Sequence, residues 1–237
     1  MTKKEDGLSN FTLATITPRA PGREALWPLH QRWLQHQTRQ PDQVIVVGGG
    51  DRTPGPQDLA RNVLEAIPQI QTDVVAILED DDYYGPSYLG DGLQACEVGI
   101  TGAAITRLYR LQTRGWCLMH WYLGTSTPAP LGSVFVHRRW LPALRLAAEA
   151  VLRKPTAALD GALWGLIPRE HWRLRPRVAM VGIKGVAHGI TAVHRTINPT
   201  WPIDADGSQL RAWIGDDAAA YRALAEHSSL ERMALWT

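Results

Sequence analysis

The sequence predicts an α/β fold with a mainly parallel central sheet flanked by helices. Two patterns predict it. Through the first ninety or so residues, short apolar runs alternate with segments of helical periodicity, as βαβ units require. The loops rich in glycine, proline and acids each follow an apolar run, and open parallel sheets gather ligands at that edge.

Phe11 to Ile16 reads as the first buried strand, broken by Thr17-Pro18-Arg19-Ala20-Pro21-Gly22. Glu24 to Gln37 carries Ala25, Leu26, Leu29, Trp33 and Leu34 at helical spacing, and Pro28 falls in the first turn, where proline is accommodated. Gln43 to Val47 is a second strand closed by Gly48-Gly49-Gly50-Asp51. Asp58 to Ile67 is a helix with Leu59, Val63, Leu64 and Ile67 inward, and Asp73 to Leu78 is a third strand. In the second half, Leu131 to His137 reads as a strand after a proline-rich turn. Leu141 to Leu152 and Thr156 to Ile167 read as helices, and Val178 to Ile183 as a strand. Terminal helices are expected over Ser208 to Ile214 and Asp216 to His227. With no repeat, low-complexity tract or linker, the expectation is one domain over residues 1–237. Its divisions fall at about 10–95, 96–197 and 198–237.

The chain has 237 residues, 45% of them hydrophobic and 20% charged, enough to bury a substantial core. No apolar stretch reaches membrane-spanning length and no signal-peptide core follows Met1, so a soluble, cytoplasmic protein without membrane insertion is expected. Cys96 and Cys117 lack any zinc-like spacing and read as core thiols. A net charge of +2 implies no polyanion partner by itself, but the cations are clustered: Arg107, Arg110 and Arg114; Arg138 and Arg139; Arg169, His171, Arg173, Arg175 and Arg177. Trp116, Trp140 and Trp172 are interleaved with them. Such clusters suit phosphates and stacked rings, and equally a solvated basic face with core tryptophans.

The run Leu78-Glu79-Asp80-Asp81-Asp82-Tyr83-Tyr84 places four acids at the end of an apolar strand. Crowded, partly desolvated carboxylates hold their protons unless a cation neutralises them. Oxygen-rich, thiol-free surroundings favour a hard ion, Mg2+ or Mn2+. A solvated acidic turn is the plain alternative.

With these motifs placed, the stretch from Phe11 to Arg195 resembles the metal-dependent glycosyltransferases of the GT-A fold, a Rossmann-like nucleotide-binding architecture. The resemblance is especially to the large family 2 group that uses nucleotide-sugar donors. Leu78 to Leu89, with its acids, aromatics, Pro86 and Leu89, is similar to that family's strand-end acidic motif. The resemblance implies that Asp80, Asp81 and Asp82 hold the cation that bridges the donor's diphosphate. It implies that the segment containing Thr15, Thr17, Pro18 and Arg19 contacts the nucleotide. The family usually places a base-reading acid directly after the second strand, whereas here three glycines intervene and the acid comes at Asp51. Leu131 to Arg139 resembles the strand lining the acceptor side. Leu159 to Trp164 looks like the helix carrying the base of inverting enzymes, which makes Asp160 the base and Trp164 a substrate neighbour. Read without the family, an Asp near a helix start is equally a cap. Val181 to Arg195 is similar to the late segment that supplies a histidine to the metal. His194 is the preferred ligand and His188 the runner-up, with Lys184 and Arg195 beside the diphosphate. A histidine there is otherwise an ordinary structural residue.

The resemblance therefore implies inverting transfer of a sugar from a nucleoside-diphosphate donor, UDP favoured, to an acceptor hydroxyl. That hydroxyl belongs to a modified base in DNA, to a protein or to a glycan. The rivals are a nucleotidyltransferase, which wants a glycine-rich basic loop after the first strand, and a non-catalytic nucleotide-sugar or nucleic-acid binding module. Oligomeric state is not legible.

Overall fold

The structure is a computed structural model describing residues 10–20, 23–49, 56–96, 99–120, 128–154, 157–176, 178–185 and 200–224. Its centre is a six-stranded sheet in which β1 (Leu13–Arg19) lies between β2 (Gln43–Gly48) and β3 (Val74–Ile77), parallel to both. Beyond β3 come β8 (Phe135–His137), antiparallel to both its neighbours, then β5 (Ile100–Ala103) and, parallel to β5 at the far edge, β9 (Trp172–Arg175). The expected α/β sheet flanked by helices is present, with β8 as its one reversed strand among the described residues.

Alternation along the central strands explains why both faces are covered. Val75 and Ile77 point into one cluster, while Val74, Ala76 and Leu78 point into another, and all five are fully buried. The first cluster is closed by α2 (Pro56–Ala66), α4 (Leu141–Arg153) and α5 (Leu159–Leu166). The second is closed by α1 (Trp27–Gln35) and α3 (Tyr88–Ala95).

A second, four-stranded sheet was not expected. It runs β4 (Tyr83–Tyr84), β10 (Met180–Lys184), β6 (Ile105–Arg110) and β7 (Gly115–His120), and it packs Tyr109, Val181 and Ile183 against α6 (Ser208–Ile214) and Tyr221. A further helix covers 217–224. Among the described residues, no helix is long and apolar enough to cross a membrane.

Three sequence expectations are corrected. β1 does not break at Thr17 but runs through Arg19. Leu78 N–H donates to Ile16 O, so Ile16 faces β3, and Pro18, two residues on, faces the same side. There β3 has already ended, so the missing proline N–H costs no ladder bond. Residues 131–137 are not a continuous strand: Leu131–Ser133 forms a 3-10 turn before β8. Ser133 Oγ donates to Pro130 O (2.8 Å) and accepts Ala103 N–H (2.9 Å), holding the turn against β5. The helix expected from Thr156 begins at Leu159, after an extended Ala158. Cys96 is buried as expected, whereas Cys117 is only partly buried.

Gly92 lies inside α3, where alanine would ordinarily stabilise the helix by about 1 kcal/mol. A methyl group there runs into the Phe135 ring of β8. Overpacking costs about 1–3 kcal/mol, so Gly92→Ala is expected to lower stability in urea denaturation despite its better helix propensity.

Candidate functional site

Parallel pairing brings the ends of β1, β2 and β3 to one edge, and the acid loop follows β3 there. Its backbone is pinned from below. Glu79 N–H donates to Tyr84 Oη (2.8 Å), and the Tyr84 and Tyr88 hydroxyls both donate to Gly132 O, at 2.9 and 3.0 Å. These tyrosines belong to an aromatic ladder, Trp27–His30–Trp33–Tyr84–Tyr88–Phe135, with successive ring centroids 4.1–5.4 Å apart. The loop is therefore seated on packed rings.

The four acids have different partners. Asp80 accepts Arg23 Nη1 (2.7 Å) and Ala20 N–H (3.2 Å), which ties the loop after β1 to the loop after β3. The same Nη1 lies 3.0 Å from Asp81 Oδ1. Asp82 Oδ1 accepts Ile183 N–H (3.0 Å) and Lys184 Nζ (3.1 Å), which ties in the end of β10. Glu79, Asp81 and Asp82 each offer a carboxylate oxygen within 4.8 Å of the others. Asp80, Asp81 and Asp82 are at most 2% exposed, so water does little to screen them.

Two unit charges about 4.5 Å apart repel by roughly 4 kcal/mol at an effective dielectric of 20. Among the described residues two cations face four acids, and the titration behaviour follows. Burial first, and then neighbouring Asp81 and Asp160, hold Glu79 above the ordinary range against the pull of Lys184 and Arg23. Burial, Asp81 and Glu79 push Asp82 well up, although Lys184 opposes them. Burial also raises Asp80. Lys184 and Arg23 lose from burial but gain more from the acids, and both stay cationic.

Asp160 occupies the first turn of α5, where its Oδ1 accepts Gly161 N–H (2.8 Å). Burial raises its pKa, and it stands close enough to Glu79 to raise that acid too. The structure thus brings Asp160, Lys184 and the acid loop to one place. Arg19 lies over the Trp27 ring, 4.7 Å from its centroid. Asp51, His188, His194 and Arg195 lie outside the described residues.

Three residues expected beside the substrate have buried side chains with roles in packing. Trp164 is fully buried in the core, where its indole N–H donates to Ala129 O (3.0 Å). Thr15 and Thr17 are fully buried in β1, and Thr17 Oγ1 is engaged with His30 Nε2 at 2.9 Å. These side chains pack. His30 is held neutral by burial and the charge of Arg19, with its pKa down at about 3.

Sequence reasoning missed Arg23, a lone arginine in a loop, and gave Glu79 no role; only the fold shows that Glu79, rather than Asp80, converges with Asp81 and Asp82. The basic clusters also separate. Arg110 and Arg175 are buried, Arg177 lies outside the described residues, and Arg173 is exposed on β9. Arg138, Arg139, Arg169 and His171 fall at the opposite end of the sheet, because β8 runs antiparallel to β3 and Trp172 pairs with the first residue of β5.

No family model and no curated protein matches the chain. Among solved structures it is similar to TarS of S. aureus, at 12% identity and a TM-score of 0.45, covering 73% of this chain but only 36% of that one. It is similar to a glycosyltransferase involved in the glycosylation of the major capsid of PBCV-1, at 12% identity, a TM-score of 0.43, and 69% and 81% coverage. It is also similar to 2-C-methyl-D-erythritol 4-phosphate cytidylyltransferase from Thermus thermophilus, at 14% identity, a TM-score of 0.41, and 90% and 98% coverage. Identity at this level leaves the reaction to be argued from the residues.

A carboxyl whose folded pKa is raised loses stability as pH climbs from its unfolded value through its folded one. Glu79→Gln cannot ionise and escapes that loss. In EDTA its thermal midpoint is expected to exceed the wild type's at about pH 7.5, with the gap closing toward about pH 4. A pH-independent gap would contradict this account of Glu79.

Proposed function

We propose that the chain is a metal-dependent glycosyltransferase of GT-A type, moving a sugar from a nucleoside-diphosphate donor, UDP favoured, to an acceptor hydroxyl with inversion. The observation that carries this reading is the convergence of Glu79, Asp81 and Asp82 within 4.8 Å at the strand-end edge of a parallel sheet, with Asp160 in electrostatic reach. Among the described residues the donor set is carboxylate, which fits a hard cation such as Mg2+ or Mn2+ shared with phosphate oxygens. When bound, that cation supplies positive charge to the departing diphosphate.

The chain's own residues divide the remaining work. Arg23 holds Asp80 and Asp81 in place, and Lys184 offers a second positive charge at the same edge. Asp160, made more basic by burial, takes the proton of the acceptor hydroxyl as that oxygen attacks the anomeric carbon opposite the leaving group. Asp51 on the base, His194 or His188 on the metal, and Arg195 on the diphosphate complete the reading by resemblance.

Nucleotidyl transfer is the second reading. It asks for free cations in the loop after β1, but Arg23 is committed to Asp80 and Asp81. That commitment favours sugar transfer. The acceptor is a hydroxyl compound, and a DNA base, a protein and a glycan all qualify. DNA draws the least support, because much of the exposed basic surface lies at the other end of the sheet.

Two measurements bear on the proposal. Asp82→Asn is expected to abolish Mn2+-dependent UDP binding in calorimetry, and undiminished titration would sink the metal site. Asp160→Ala is expected to lower turnover by about 10²–10⁴ while leaving donor binding intact. A chain that binds donor yet shows no hydrolysis of any nucleotide sugar by mass spectrometry would instead be a binding module.

A further inference from the structure

Asp82 is 2% exposed and Asp81 fully buried, whereas Glu79 is partly exposed, so a ligand that meets Glu79 engages Asp81 and Asp82 only where a covering group yields. The two covering cations differ. Arg23 spans two acids through one nitrogen, is permanently charged, and closes the loop after β1 onto the acid loop. Among the described residues Lys184 makes one ion pair, Nζ to Asp82 Oδ1 at 3.1 Å, from the last residue of β10. Its flexible four-carbon stem can carry the ammonium away without moving the strand. Asp82 keeps a partner when it does so, because Ile183 N–H donates to the same oxygen at 3.0 Å. Asp82 is also one of the three acids whose oxygens converge within 4.8 Å. A divalent cation drawn to that oxygen meets an ammonium already bound to it, and two like charges do not share one carboxylate oxygen cheaply.

We propose that Lys184 and a divalent cation are rival counter-ions for Asp82, and that Lys184 gives up Asp82 on metal binding and turns to the diphosphate of the donor. The proposal rests on the divalent-cation reading of the acid cluster given above. It assigns Lys184 two consecutive partners: Asp82 first and phosphate oxygens second. Asp82 then has a cationic partner before and after the donor arrives.

The test uses Lys184→Met, which keeps most of the stem and removes the charge, with Mn2+ alone as the first probe and UDP at saturating Mn2+ as the second. Calorimetry is expected to show Mn2+ binding tightened by on the order of tenfold and UDP binding weakened by a comparable factor. Opposite signs are the signature, since a merely structural lysine would weaken both and a phosphate ligand alone would leave Mn2+ affinity unchanged. Either of those results overturns the proposal. If wild-type protein binds no Mn2+, the metal reading fails and this proposal falls with it; if wild type binds and the variant binds no tighter, this proposal fails alone.

A measurement on the unmodified chain covers the case in which the variant does not fold. The sequence has only four lysines, Lys3, Lys4, Lys154 and Lys184, so amine acylation is readily mapped by peptide mass spectrometry. Lys184 is expected to label several-fold faster with Mn2+ than with EDTA, against an unchanged Lys154. An unaltered Lys184 rate would overturn the exchange.

Discussion

The crowding of buried carboxylates at the end of β3 is the constraint to which the rest of the site answers. Four carboxylates follow a strand that is buried on both faces, and three of them are nearly closed to water. Such a loop does not hold itself together. It is held by Arg23 from the loop after β1, by Lys184 and Ile183 from β10, and by the Tyr84 hydroxyl from beneath. The second sheet gains a purpose from this. By pairing β10 with β4 and β6 it delivers a cation and a backbone N–H to Asp82, which the first sheet does not supply.

Legibility in the sequence tracked how local the cause was. β1, β2 and β3 were readable because each is a short apolar run between turn residues, and α2 and α4 because their apolar positions repeat at helical spacing. β6 and β7 were not, since Arg107, Arg110 and Arg114 drew attention to charge while the strands are defined by pairing with each other and with β10. Residues 131–137 misled because Ser133 satisfies backbone groups through its side chain, which no apolar pattern records.

The site followed the same rule. The acids were visible because they are adjacent in the chain. Their partners were harder: Arg23 meets Asp80 across 57 positions, and nothing local marks it. Lys184 meets Asp82 across 102 positions, and the sequence offered it only to a diphosphate. Burial also sorted the tryptophans and threonines. Trp164 and Thr17 sat beside promising motifs, yet their polar atoms are engaged inside the protein.

The floor of the site has its own implication. Both tyrosine hydroxyls beneath the acid loop end on a backbone carbonyl, that of Gly132. A carbonyl survives any substitution, so this fixed point is beyond the reach of side-chain drift. The residue that bears it is not. A Cβ at position 132 would lie 3.1 Å from Tyr84 Oη and 3.2 Å from Glu79 Cγ, pressing on the phenol and the acid together. Tolerance at position 132 is therefore a question of size, where even a single methyl group would press on the charged loop above.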